Sequence, residues 1–148
     1  MTVTVRHVEA GDHDAWARLY AGYADFYKVT QTEAMRATVW AWLHDPTNEV
    51  EGLVAADADG RIIGIAHYRP YMRPLAASVG GFLDDLFVDP EARGTGAAQA
   101  LIACIEAIGR ARGWSVVRWI TAADNTRARA VYDRLATATP WVTYDIKL

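Results

Sequence analysis

One segment constrains this chain more than any other. Phe82-Leu83-Asp84-Asp85-Leu86-Phe87-Val88 is a mostly apolar run, Asp89-Pro90 ends it, and a glycine-bearing turn leads into the long helical pattern of Thr95–Gly113. Val116–Thr121 then reads as another strand, so residues 82–121 predict a strand–helix–strand unit with a parallel crossover. Leu101, Ile105 and Ile108 recur at helical spacing and Gly113 supplies a C-terminal stop. The turn carries its own chemistry. The first turn of a helix leaves N–H groups without intrahelical partners, and the helix dipole adds partial positive charge there. Gly94 and Gly96 let an anion approach without a Cβ in the way, and Arg93 adds a charge beside it.

The remaining elements follow from periodicity and punctuation. Thr2–Val8 alternates as a strand. Gly11–Asp14 starts a helix whose stripe is Trp16, Leu19, Tyr20, Tyr23 and Tyr27. Thr30 and Glu33 have the spacing of a capping box for a second helix, which Asp45-Pro46 stops. Val50–Ala56 and Arg61–Tyr71 read as a hairpin joined by Asp57-Ala58-Asp59-Gly60. Pro74–Gly81 reads as a loop. Asp124 or Asn125 caps a helix running to about Leu135, and Trp141–Leu148 alternates as a last strand. The order is β-α-α-β-β-β-α-β-α-β, an α/β (α+β, mixed-sheet) fold in a single domain over residues 1–148.

Composition narrows the function classes. A net charge of −3 gives no basic footprint for nucleic acid. Cys104 is the only cysteine, which excludes an intrachain disulfide and a multi-cysteine zinc site. The four histidines show no i, i+4 metal spacing, so no metal is expected. His67 reads as a satisfied core or surface histidine. No apolar run is long enough to span a bilayer and the polar N-terminus does not read as a signal peptide, so a cytoplasmic protein without membrane or nucleic-acid partners is expected.

The turn has neither the G-x-x-x-x-G-K-[ST] of a P-loop nor the G-x-G-x-x-G of a dinucleotide site. Arg93-Gly94-Thr95-Gly96-Ala97-Ala98 does fit R-x-x-G-x-A. Downstream, Asn125 through Ala128 to Tyr132 fits N-x-x-A-x-x-x-Y, and Leu83-Asp84-Asp85-Leu86-Phe87-Val88 is similar to an L-E-D-L-F-V strand. In these three motifs, over roughly residues 50–148, the chain resembles the GNAT superfamily of N-acetyltransferases. The likeness is greatest to its yeast Hpa-type, diamine and amino-acid acetyltransferase branches.

The resemblance implies an acyl-CoA N-acyltransferase fold with a splayed central sheet, and acetyl transfer from acetyl-CoA to an amine by direct attack in a ternary complex. It implies that Arg93, Gly94, Thr95, Gly96, Ala97 and Ala98 hold the coenzyme's pyrophosphate. Backbone N–H groups near Phe87 and Val88 would face the oxyanion, Asn125 would lie beside the coenzyme, and Tyr132 would give a proton to the departing thiolate. Asp84 takes the position of the family's base, often acting through water, one methylene shorter than the usual Glu. Asp85 and water itself remain alternatives for the base. The strand's period of two sets Asp84 on one sheet face and Asp85 on the other. Read without the resemblance, Tyr132 is a core tyrosine and the two carboxylates are a structural pair bonded to a nearby Arg. The far end of the tyrosine stripe, Tyr23 to Lys28, is open to lining the acceptor pocket.

The acceptor expected is a primary amine of a small molecule, an amino acid or a polyamine. The alternatives are a non-catalytic acyl-CoA sensor and a protein or peptide acetyltransferase. At pH 7 deprotonating a Lys-like amine costs about 4.6 kcal/mol, and an α-amine only about 1.4 kcal/mol, which favours α-amines where the base is weak. Only Ala136–Thr139 separates the Tyr132 helix from the last strand segment. That segment is expected to be a lone edge, which invites a homodimer.

Overall fold

The computed structural model describes residues 2–148. Its elements are β1 (Thr4–His7), α1 (His13–Phe26), α2 (Glu33–His44), β2 (Glu51–Ala56), β3 (Ile62–Arg73), β4 (Ser78–Val88), α3 (Ala97–Arg112), β5 (Val117–Trp119) and α4 (Thr126–Leu135). One sheet runs in the order β1-β2-β3-β4-β5. The first four strands pair antiparallel, and β4 pairs with β5 parallel through the α3 crossover, so the sheet is mixed as expected.

Alternation along the strands divides the core into two layers. On one face Leu53, Ala55, Ala66, Tyr68 and Leu83 pack with Leu101, Ile102 and Ile105 of α3. On the other, Val54, Ile65 and Phe87 pack with Trp16, Leu19 and Tyr20 of α1. Each of the buried leucines, isoleucines, Val54 and Phe87 contributes about 1.5–3 kcal/mol by leaving water. A fork of Arg112 on the Glu51 carboxylate ties the end of α3 to β2.

The structure departs from the sequence reading in four places. Thr32, not Thr30, caps α2, its Oγ1 accepting the Met35 N–H at 3.2 Å. The expected loop over 74–81 shrinks to one turn, Pro74–Ala76, because β3 and β4 extend as a long hairpin out to Arg73 and Ser78. Within that hairpin His67 faces Asp85 but Tyr68 faces Leu83, so Asp84 is the extra residue of a β-bulge. The bulge breaks the period of two, and Asp84 and Asp85 do not lie on opposite faces. Finally, residues 141–148 form no strand. The alternation is present, but a strand exists only by hydrogen bonding to a neighbour, and no strand among the described residues pairs with it. Trp141, Val142, Tyr144, Ile146 and Leu148 are all exposed.

β4 and β5 touch only over Gly81–Leu83 and Val117–Trp119. There the backbone of Gly81 lies directly under the Trp114 ring, and its N–H donates to the Val116 carbonyl at 2.8 Å. Trp114 is held in turn by the close approach of Gly109 and by its own N–H on the Gly109 carbonyl. A Cβ at position 81 would overlap that ring, which Gly109 crowds from α3. Gly81→Ala is expected to destabilise the fold by about 1–3 kcal/mol, the usual cost of overpacking. Urea unfolding at neutral pH measures it, and an unchanged midpoint would contradict this packing.

Candidate active site

Beyond Leu83 and Trp119 the two central strands part. β4 stays paired with β3 as far as Val88, while the chain leaving β5 turns outward to α4. A cleft of about 590 Å³ opens in the gap, a size suited to a sizeable ligand. Its floor is Leu86, Phe87 and Val88, one wall is Arg93 through Gln99, and the other is Asn125, Ala128, Val131 and Tyr132. Phe26 and Tyr27, at the end of α1, close it over. The sequence left the stretch Tyr23 to Lys28 open; the structure puts Tyr27 on the cleft.

The corner between β4 and α3 is fixed by short polar bonds. Asp89 accepts the Glu91 N–H at 3.0 Å and also meets Arg18 and Arg61, while its own N–H donates to the Ile63 carbonyl. Burial pushes the Asp89 carboxyl up, but these donors outweigh it and hold the group below the usual carboxylate range. Thr95 Oγ1 donates to the Ala92 carbonyl at 2.7 Å. Gly94 and Gly96 sit at φ +82° and +83°, a region that costs an L-residue about 1–2 kcal/mol. Gly96 is the N-cap of α3 and no side chain caps that helix. Its first-turn N–H groups therefore face the cleft without a partner from their own cap, and Arg93 stands exposed beside them.

Across the cleft, Asn125 caps α4 through Oδ1 on the Ala128 N–H, which sets the helix that carries Tyr132. Tyr132 stacks edge-on against Trp119 of β5 with ring centroids 5.4 Å apart. Burial, with a smaller contribution from Tyr27, pushes its phenol up to about 12. Among the described residues its hydroxyl makes no hydrogen bond.

The bulge arranges the two acids differently. Asp84 binds Arg69 Nε at 3.0 Å, and that guanidinium lies over the Phe82 ring. Burial is the largest influence on Asp84 and raises its carboxyl despite Arg69. Asp85 Oδ2 meets His67 Nδ1 at 2.8 Å and accepts the Tyr20 hydroxyl at 2.9 Å. On the far side of the ring, His67 Nε2 meets Trp16 Nε1 at 2.9 Å. Burial alone would raise Asp85; the hydrogen bonds from His67, Tyr20 and Tyr23 bring it below the usual range. His67 is a satisfied core histidine, as the sequence reading held, but its partner is a carboxylate at the strand's open end. That link was invisible in the sequence because His67 and Asp85 meet only through strand register.

The comparisons can be set beside this geometry. The profile of the acetyltransferase (GNAT) family matches residues 16–136. A D-amino-acid N-acetyltransferase, HPA3, of Saccharomyces cerevisiae is 30% identical over 143 residues, 96% of this chain and 89% of that protein. An aminoglycoside N(6')-acetyltransferase type 1 of Stenotrophomonas maltophilia is 28% identical, covering 87% of this chain and 82% of its own length. Among solved structures, a ribosomal-protein-alanine N-acetyltransferase of Brucella melitensis biovar Abortus 2308 superposes with a TM-score of 0.81 at 24% identity, over the whole of both chains. The chain belongs to the GNAT acetyltransferase family and is an acyl-CoA-dependent N-acetyltransferase.

Proposed function

We propose that this enzyme carries an acetyl group from acetyl-CoA to a primary amine of a small molecule, an amino acid or polyamine, by direct attack in a ternary complex. The observation that carries the reading is one cleft lined at once by the uncapped start of α3, the edge of β4 beyond its pairing with β5, and Tyr132, whose hydroxyl has no hydrogen-bond partner among the described residues. Of the three proteins named above, the two matched by sequence are named for small-molecule acceptors, a D-amino acid and an aminoglycoside, which supports the acceptor class, and the third, named for a ribosomal protein, shares the fold at 24% identity.

On this reading the main-chain N–H groups of residues 93–98 bind the coenzyme's diphosphate, helped by Arg93 and the helix dipole. The pantetheine arm then runs along β4 toward Leu86–Val88, beside Asn125. The neutral amine attacks the thioester carbon, and the carbonyl oxygen becomes an oxyanion held by β4 N–H groups near Phe87 and Val88. The C–S bond breaks as the C–N bond is completed. The amine's surplus proton leaves through water to Asp84, whose raised carboxyl is the better proton acceptor of the two acids. The thiolate leaves within hydrogen-bond reach of Tyr132 and takes its proton from water. Because burial makes that phenol a weaker acid than a thiol, Tyr132 acts chiefly as a hydrogen-bond donor that steadies the departing thiolate.

A thiol-release assay over amino acids, polyamines and aminoglycosides tests the reading. Tyr132→Phe is expected to lower kcat by about 10²-fold. Arg93→Ala is expected to raise the acetyl-CoA Kd by about tenfold with a much smaller effect on kcat. Tight acetyl-CoA binding with no turnover on any amine would replace the enzyme by a sensor.

The pH dependence has a definite sign. An acid must keep its proton to act, so activity owed to Tyr132 is lost only as pH rises through about 12. The rate is expected to climb with pH as the acceptor amine loses its proton, and to show no falling limb between pH 7 and 10. A falling limb in that interval that disappears in Tyr132→Phe would contradict the assignment.

The reading extends to a cytoplasmic homodimer. Support for the dimer is the alternating segment 141–148, whose exposed apolar side chains a second copy would cover. Light scattering is expected to give twice the chain mass, and truncation after Pro140 to give monomers. A monomeric full-length chain would overturn this part.

A further inference from the structure

One arginine at the centre of the sheet's outer half has no partner. Register puts Arg69 of β3 and Arg118 of β5 on either side of Phe82 of β4, so the three side chains share a face. It is the face that α1 covers further along, where His67 bonds Trp16. Arg69 lies over the Phe82 ring, its guanidinium carbon 4.9 Å from the centroid, and is paired with Asp84. Arg73, further out on the same face of β3, donates to Ser115 Oγ at 2.7 Å. Arg118 is half-buried and, among the described residues, makes no hydrogen bond and no ion pair.

A second donor on this face is also unsatisfied. Tyr71 pairs with Gly80, whose missing side chain leaves the backbone of β4 open. A Cβ at position 80 would meet Tyr71 Cε1 at 2.8 Å and Val116 Cγ1 at 3.1 Å, so the Tyr71 ring leans across β4 toward β5. That ring stands edge-on to Phe82 with centroids 5.7 Å apart. Its hydroxyl oxygen is buried and has no hydrogen-bond partner. A buried hydroxyl and a half-buried guanidinium are both costly to leave unpaired, and one anion satisfies both. The place is also suggestive of chemistry. Arg118 precedes Trp119, the last residue of β5 paired with β4, and alternation sets it on the opposite face from Trp119 and the Tyr132 ring stacked there. The gap where β4 and β5 part therefore has Tyr132 toward one face and Arg118 toward the other, on the side of Asp84.

We propose that Arg118 is a specificity-determining residue for the acceptor: its guanidinium receives a carboxylate of the substrate, with the Tyr71 hydroxyl as a second donor. This rests on the N-acetyltransferase reading above and deepens it, narrowing the acceptor to an amino acid. The planar fork of an arginine matches the two oxygens of a carboxylate, which a point charge does not. The dimensions agree. In an α-amino acid the nitrogen and the carboxylate carbon are two bonds apart, about 2.5 Å. Neighbouring strands are about 4.8 Å apart, so an amine placed in the gap leaves its carboxylate within reach of a guanidinium on β5. An α-amine also loses its proton more readily than a Lys-like amine, which suits a weak base. Polyamines and aminoglycosides carry no carboxylate and gain nothing from Arg118.

The test is calorimetry on the complex with CoA, where no chemistry occurs. The probes are alanine, leucine and phenylalanine in both enantiomers, each beside its own amide, with spermidine and kanamycin. Wild type is expected to bind at least one of the acids about tenfold or more tightly than the matching amide, the contribution of a charge-assisted pair. Arg118→Ala and Arg118→Gln should remove that preference while changing amide binding by less than about threefold. Arg118→Lys, which keeps the charge and loses the fork, should recover part of it, and Tyr71→Phe should reduce it by about three- to fivefold. The Gln variant keeps much of the packing of the Arg stem, and an unchanged CoA Kd shows which variants are folded. Acid and amide binding alike to wild type in every pair, no binding of any acid, tighter binding of spermidine or kanamycin than of every acid, or equal losses for acid and amide in Arg118→Gln would overturn the proposal. Failure of the parent reading is seen separately, as absent acetyl transfer by wild type in the thiol-release assay.

Discussion

The structure turns on the parting of β4 from its parallel neighbour. β4 keeps its antiparallel bonds to β3 along its whole length but shares only three residues with β5. Past that point one edge of a central strand is left without a partner, a state that proteins avoid unless something else meets those groups. The separation is enforced from both sides. Trp114 over Gly81 pins the strands where they meet, and the chain leaving Trp119 turns away into α4. The cleft, the uncapped helix start on one bank and Tyr132 on the other are consequences of that single divergence.

The bulge at Asp84 is the second consequence-bearing feature of the same strand. It puts two acids, adjacent in sequence, into different electrostatic settings on the side covered by α1. Asp84 has Arg69 beside it and a carboxyl raised by burial; Asp85 has the donors His67, Tyr20 and Tyr23 and a lowered one. Groups pushed apart in this way can take different roles in one reaction. Tyr132 completes the set with a phenol that keeps its proton through the neutral range.

Local signals explain what the sequence made legible. The β4–turn–α3 unit, the two glycines and Arg93 are contiguous, so their geometry follows from neighbouring residues, and the positive φ angles of Gly94 and Gly96 are those that glycine supplies. Tyr132 and Asn125 lie seven residues apart on one helix and both reach the cleft. The parts that escaped are non-local or off-period. A one-residue bulge changes which face every later side chain takes, and nothing in Leu83-Asp84-Asp85-Leu86 marks it. The Trp16–His67–Asp85–Tyr20 network joins α1, β3 and β4 and exists only after the sheet has formed. Residues 141–148 carry a true strand pattern, but pattern cannot supply the neighbour that pairing requires.

The most direct measurement of the account is a crystal structure of the protein grown with coenzyme A. The diphosphate is predicted at the start of α3, within hydrogen-bond reach of the amides of residues 93–98, with the thiol beside Tyr132 where β4 and β5 separate. Coenzyme density lying elsewhere on the molecule, or a thiol pointing away from that divergence, would contradict it.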